Sequence, residues 1–364
     1  MKMTQFAKFA NDATNQILGV TGLQRENLSE MFSSNITKES IKMNPRLLQR
    51  IIESGEISRY LKIGDIIDIP WSDNVDVLPN VYQYPFVVVD IADVYDNNDV
   101  KHENALWLMT MYATPHDIVF DSGETTTVNL SEETTAIEGW YYWGVSGSTY
   151  TELNLSVGDS IPTTYNSVVK CGINNLSVLR YGYNRWRDSA YRQWLNSDIA
   201  RNIGWWKSKH LGDCPPPIAQ NNLPGWLNGF TEEWRAIFKP VKVDTVCNTV
   251  TDEGVTDTTY DTFFLPSVEQ MYGTPQAAGI EGEYWPYWKE ETGLDAPTNG
   301  SSTNTNNARK IPSIANPTGS AVACRLRSAN RGSSSYVWYV NTAGYLDYST
   351  AYNSYRALPA CVIY

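Results

Sequence analysis

The chain has 364 residues, 42% of them hydrophobic and 19% charged, enough apolar surface for a substantial core and too much for a disordered polymer. Its formal net charge of −12 argues against a nucleic-acid groove, which neutralises phosphates with Lys and Arg, and against docking on anionic lipid. No apolar run approaches the ~20 residues that span a bilayer, and the N-terminus lacks the uninterrupted apolar stretch of a signal peptide, so neither membrane insertion nor export is expected. Residues 1–58 read as helical and polar, with Ile41, Leu47, Leu48, Ile51, Ile52 and Ile57 forming a helical stripe. Pro45 limits where that helix starts and Ser54-Gly55 offers a stop. The segment is too short for a core of its own, so the stripe is expected to pack on a neighbouring subunit or a larger assembly.

From about residue 60 the pattern turns to strands. LKIGDIIDIPW alternates around Ile63, Ile67 and Ile69, and YPFVVVDIADVY and ALWLMTMYATPHDIVF are strongly apolar runs. Residues 121–165 are rich in Thr, Ser, Glu and Gly around an aromatic island at Trp140–Trp143, and read as exposed hairpins or long loops rather than a second core. Two helices follow. One is capped by Asp188 or Ser189, carries Tyr191, Trp194 and Leu195 on one face, and ends at Asn196-Ser197. The other opens at Thr231 with Glu232 and Glu233 in its first turn, where the helix dipole favours them. Cys214-Pro215-Pro216-Pro217 between them reads as loop, as does the Asn/Ser/Thr cluster at 299–307. Strands and turns then run to the C-terminus.

Taken in order, NRWRDSAYRQWLNSD, GWWKSKH, GFTEEWRAIFKPVKV, TFFLPSVEQMYGTP, CRLRSANRG and YRALPACVI resemble the hypervariable proteins of gut phages and bacteria that diversity-generating retroelements diversify. The resemblance covers roughly residues 60–364. It implies an α+β fold: a C-type-lectin-like, formylglycine-generating-enzyme-like domain over 59–364. The short helical segment 1–58 lies outside the resemblance and is expected to serve attachment or oligomerisation. It also implies a phage receptor-binding protein at a tail or head fibre tip, residing on the virion, whose last strands and loops form a diversified surface for a host-surface protein or glycan. Other virion proteins are the expected partners of the N-terminal segment. A homo-oligomer is expected because weak variable sites gain avidity by multiplication, with a trimer as the first choice. A structural virion decoration protein and a bacterial surface adhesin are the alternatives.

The residues support a C-terminal display on their own account. From Asn330 to Tyr355, 15 of 26 residues are Asn, Ser, Tyr or Asp, the types that adenine-directed mutagenesis of Asn codons yields and that make adaptable contacts. Asn330, Ser333, Ser335, Tyr336, Trp338, Asn341, Tyr345, Asp347, Tyr348, Tyr352 and Asn353 are the expected ligand-binding positions. Val337, Val340, Gly344, Leu346 and Ala351 between them are expected to face inward or turn the chain.

Other chemistry is weaker. Five widely spaced cysteines (Cys171, Cys214, Cys247, Cys324, Cys361) and three isolated histidines (His102, His116, His210) suggest no thiolate centre, zinc site or catalytic constellation, so no enzyme, metal or cofactor is expected. The acidic run at Asp93, Asp96, Asn97, Asn98 and Asp99 lacks the spacing and distal Glu of a calcium loop and reads as a hairpin turn. Glu232-Glu233 and Glu290-Glu291 read as helix-start and surface charge. Trp186, Trp194, Trp205, Trp206, Trp226, Trp234, Trp285 and Trp288 read as core rather than a sugar-stacking cleft.

Overall fold

The computed structural model describes residues 36–73, 81–123, 126–204, 220, 222–273, 279–291 and 309–364. The sequence expectations for Cys214–Pro217, for the 299–307 cluster and for Trp205, Trp206 and His210 lie outside them, as do residues 1–35.

Two short helices open the described chain, α1 (Lys38–Lys42) and α2 (Pro45–Glu53). Thr37 and Ser40 make a capping box for α1, and Asn44 caps α2 with Pro45 in its first turn, where no N–H is needed. Strands β1 (Ile66–Ser72), β2 (Val81–Tyr95) and β3 (Lys101–Thr110) follow, then the short β4 (Ile118–Val119) and β5 (Thr126–Thr127). β6 (Tyr141–Ser146), β7 (Thr149–Glu152) and β8 (Ser167–Cys171) lead into α3 (Leu176–Tyr181) and α4 (Ala190–Leu195). After α5 (Glu232–Ile237) come β9 (Val241–Val246), β10 (Thr256–Asp261), β11 (Phe263–Phe264) and α6 (Val268–Tyr272). The C-terminal part is β12 (Cys324–Ala329), β13 (Tyr336–Val340), β14 (Leu346–Thr350), β15 (Ser354–Ala357) and β16 (Ala360–Ile363).

The strands make an α+β arrangement of separate sheets. One has the order β1-β2-β3-β16-β11 and is antiparallel throughout, so the last strand of the chain lies inside the sheet that the first strand begins. A second has the order β14-β13-β12-β15-β4, with β12 and β15 parallel and the other pairs antiparallel. β9 and β10 form a hairpin, and β5-β8-β6-β7 form a smaller sheet.

The main core joins the first sheet to α4, α5 and α6 through large aromatics. Trp226 is fully buried, 4.7 Å from the Trp71 ring and 5.5 Å from that of Trp194. The indole N–H groups of Trp71, Trp194 and Trp186 donate to Trp226 O, Pro224 O and Asp261 Oδ2, so burying these rings leaves those N–H groups paired. Trp186, Trp194, Trp226, Trp234, Trp285 and Trp288 are all buried.

Two expectations are corrected here. The stripe of the N-terminal segment has its partner within the chain. Ile41, Leu48, Ile51, Ile52 and Ile57 are buried in the main core, and α2 packs on α5 and β3. The boundary at 58/59 therefore does not divide two cores: a short amphipathic segment with no core of its own closes onto the larger one. Residues 121–165 are likewise more than exposed loops. The small sheet is covered on both faces, with Tyr142 and Val168 in one cluster and Trp143 and Val169, beside Val178 and Leu179 of α3, in another. Adjacent residues of a strand point to opposite faces, so covering both faces buries a consecutive Tyr-Trp pair that reads as an exposed island in sequence.

Candidate functional site

The antiparallel register of β13 and β14 sets Tyr336 opposite Thr350, Trp338 opposite Tyr348 and Val340 opposite Leu346. The alternation places Tyr336, Trp338 and Tyr348 on one face, where Tyr348 lies 5.3 Å from the Tyr336 ring and meets Trp338 edge-on at 5.4 Å. Tyr336, Tyr348, Tyr352 and Asn353 are exposed. Asn330, Ser333, Trp338, Asn341, Tyr345 and Asp347 are half-buried. Ser335, expected to face outward, is buried, because its carbonyl takes the Ala351 N–H at 2.7 Å and draws it under the next turn. Val337, Val340, Gly344 and Ala351 are buried as expected, and Leu346 is half-buried against the core.

Several of the polar candidates are occupied with building turns. Asn341 Oδ1 accepts from the N–H groups of Ala343 and Tyr345, Asn330 Oδ1 from Gly332, and Ser333 Oγ from Ser335 and Tyr336. Asp347 accepts from the Tyr339 hydroxyl and from the Tyr348 N–H. The compact aromatic group outside these turn-building bonds is Tyr336, Trp338 and Tyr348, with exposed Tyr352 in the following turn, where Asn353 Nδ2 donates to Ser349 Oγ at 2.8 Å.

The residues that hold this face were not legible as site residues. Arg325 on β12 is fully buried. Its two terminal nitrogens donate to the carbonyls of Val337 at 3.1 Å, Ser349 at 3.3 Å, Thr350 at 3.0 Å and Asn353 at 2.8 Å, and its guanidinium lies 4.5 Å from the centre of the Tyr355 ring. Burial pushes its pKa down to about 10, which still leaves it charged at neutral pH. Asn184 does the same for the β12–β13 connection. Its Nδ2 donates to the carbonyls of Asn330, Ser333 and Tyr336 at 3.3, 2.6 and 2.9 Å, and its main-chain N–H to Ser334 O. The Tyr272 hydroxyl donates to Gly344 O and that of Tyr191 to Tyr355 O, both at 3.1 Å. Every one of these bonds ends on a main-chain carbonyl.

Behind Asn184 stands a buried polar network. Asn248 Nδ2 donates to Asn184 Oδ1 at 3.0 Å and to Asp252, which also accepts from the Tyr183 hydroxyl. Burial raises the Asp257 pKa, but Arg185 and the Cys247 thiol, both bonded to it, outweigh that and hold it below the usual carboxylate range. Burial and the same carboxylate push the Cys247 thiol up to about 12. This is the environment of an inert, not a nucleophilic, cysteine.

On the other flank α3 spans the two loops that carry Ser334 and Tyr352. Its N-cap Asn175 accepts from the Ser334 hydroxyl at 2.9 Å, and the carbonyl of Tyr181 at its far end accepts the Tyr352 N–H at 2.8 Å. Gly182 then turns the chain at φ +81°, and a Cβ there would lie 2.2 Å from Asp121 O, so both conformation and space require glycine.

Residues 169–364, more than half of the chain, match the profile of a domain of unknown function, DUF6273. The chain belongs to the DUF6273 family. No curated protein and no solved structure matches it. The DUF6273 match begins within β8 and contains Asn184, Arg325, α3 and the whole β12–β16 region, while β1–β3, of which β3 pairs with β16, precede it.

Among the described residues of this DUF6273 chain, no group of three or more His, Cys, Asp or Glu could hold a metal ion. His102 and His116 each meet a single carboxylate, of Asp96 and Asp73. Asp96 closes the β2–β3 turn by accepting the N–H groups of Asn98 and Val100. Cys171, Cys247, Cys324 and Cys361 are buried. No helix among the described residues is long and apolar enough to cross a membrane.

Proposed function

We propose that this chain is a non-enzymatic receptor-binding protein whose C-terminal β13–β14 hairpin and following turn form a face with interchangeable side chains. One observation carries the reading. Arg325, Asn184, Tyr191 and Tyr272 hold that face by its main-chain carbonyls, which every amino acid possesses. The outward side chains can then change without loosening the backbone beneath them, as a diversified binding surface requires. The exposed tyrosines offer rigid contact area at little entropic cost.

The finer parts of the reading rest on the sequence resemblance. They are a C-type-lectin-like domain, a place on a phage virion, a host-surface ligand and a homo-oligomer with a trimer favoured. The α+β architecture, with first and last strands in one sheet, is compatible with them. In this reading residues 1–35 attach the domain to its assembly, because the stripe of 41–57 is already buried.

The test is replacement of Tyr336, Trp338 and Tyr348 by Ala, with adsorption to host cells as the readout. Large aromatic anchors cost at least ~2 kcal/mol each on truncation, so adsorption is expected to be abolished while the fold persists. A well-folded triple variant that adsorbs like the wild type overturns the reading and favours a structural decoration protein.

A further inference from the structure

We propose that α3 adds a fixed anion-binding position beside the display face, at which Arg180 takes the carboxylate of an acidic sugar in the ligand. This rests on the reading of the β13–β14 face as a binding surface and names its ligand class. α3 is anchored at both ends to the display loops, through Asn175 to Ser334 and through Tyr181 O to Tyr352. Its exposed residues, Leu176, Arg180 and Tyr181, therefore border that face, and exposed Tyr352 is bonded directly to the turn after Arg180.

Arg180 is exposed, yet it is held in place. Its guanidinium lies 5.1 Å from the Tyr150 ring of β7 and 5.0 Å from the Tyr181 ring. Contacts with ring faces orient a guanidinium while leaving its N–H edge free, so little conformational freedom remains to be lost when an anion docks. Among the described residues no carboxylate pairs with Arg180 and no acceptor takes its N–H groups. Other cations of the domain are engaged by contrast: Arg185 with Asp257, Arg187 with Asp188, Lys170 with Glu133, and Arg325 with carbonyls. In a chain of net charge −12, a pre-oriented unpaired arginine beside the display face gives an anion a local site that the overall charge would otherwise deny it.

A carboxylate matches the planar fork of the guanidinium with two parallel hydrogen bonds. A sugar is the proposed carrier of that carboxylate because the exposed groups of the bordering face, the rings and hydroxyls of Tyr336, Tyr348 and Tyr352 and the Asn353 amide, can stack on a pyranose face and hydrogen-bond its hydroxyls.

The experiment measures binding of the full chain to a panel of uronate- and sialate-bearing oligosaccharides and their carboxyl-reduced counterparts. The wild type is expected to bind at least one carboxylated member and to lose it on reduction of the carboxyl. Arg180→Gln should bind that member about tenfold more weakly or worse, with an unchanged melting temperature, and Arg180→Lys should fall between, keeping charge but not the fork. Equal binding by Arg180→Gln overturns the proposal, as does a wild type that binds only reduced, neutral or sulfated members, or one whose adsorption to cells is destroyed by protease alone. The triple Ala variant of Tyr336, Trp338 and Tyr348 separates the two ideas. Loss in that variant with full binding by Arg180→Gln removes Arg180 and leaves the display face. The reverse pattern leaves Arg180 and removes the face.

Discussion

Arg325→Met tests whether the display face is held from below. The substitution keeps a long apolar stem but removes four hydrogen bonds, to Val337, Ser349, Thr350 and Asn353. A hydrogen bond contributes about 1–1.5 kcal/mol net, so four give about 4–6 kcal/mol, and the lost stacking on Tyr355 adds about 1 kcal/mol. Against this, removing a buried charge regains its desolvation. The fall of the Arg325 pKa to about 10 from the usual guanidinium range corresponds to about 3 kcal/mol. The balance is a net destabilisation of about 2–4 kcal/mol, smaller than the bond count suggests because the charge was costly to bury. The loss should also be local. Amide hydrogen exchange should speed up at residues 336–353, while β2, β3 and β16 keep their protection. Urea unfolding gives the magnitude and exchange by mass spectrometry the location. If Arg325→Met leaves both stability and exchange at 336–353 unchanged, the carbonyl clamp does not hold the face and the argument for interchangeable side chains fails.

Four further outcomes are expected. Leu48→Ala should cost the whole domain about 2–5 kcal/mol, and deletion of residues 1–58 should yield insoluble protein, because Leu48, Ile51 and Ile52 are core residues; a soluble, cooperatively folded truncation would show the segment to be separable. Alkylation of the native protein at pH about 8 should spare Cys171, Cys247, Cys324 and Cys361 until it unfolds, since all four are buried and burial pushes Cys324 to about 12; peptide mapping that finds any of them labelled in the native state contradicts this. Asp65 has burial pushing its pKa up, but the Lys38 ammonium and the Lys62 N–H outweigh it, so its folded pKa lies below its unfolded one. Its contribution is then present above the unfolded pKa and lost as pH falls through the folded one, and the stability gap between wild type and Asp65→Asn should shrink from pH about 5 towards about 3; a constant gap in acid unfolding refutes the pairing. Ligand recognition should survive EDTA, and a loss reversed by calcium alone would point to a calcium-dependent lectin.

What the sequence determined by itself was local. Ser189 and Asn196 bracket α4 where side-chain capping says they should, Pro45 opens a helix, and Ile67 and Ile69 alternate into the core, because caps and periodicity are properties of neighbouring residues. The apolar residues spaced through 330–355 likewise read as inward, and Val337 and Val340 are buried. Tertiary structure decided what those elements lean on. The helical stripe found its partner in α5 and β3, and the polar stretch 121–165 closed around a sheet buried on both faces, neither of which short-range pattern encodes. It also decided which candidates are free: Tyr336 and Tyr348 project outward, while Asn330 and Asn341 are spent on turns and Ser335 is buried. Least legible of all was the clamp. Arginine in a strand reads as an exposed position, because burying a charge is normally too costly, and Arg325 escapes that rule by meeting carbonyls contributed from four places in the hairpin and its turn. Asn184 reaches its carbonyls across 146 to 152 residues. A main-chain carbonyl is the same in every amino acid, so a site held through carbonyls leaves no mark on the residues it holds.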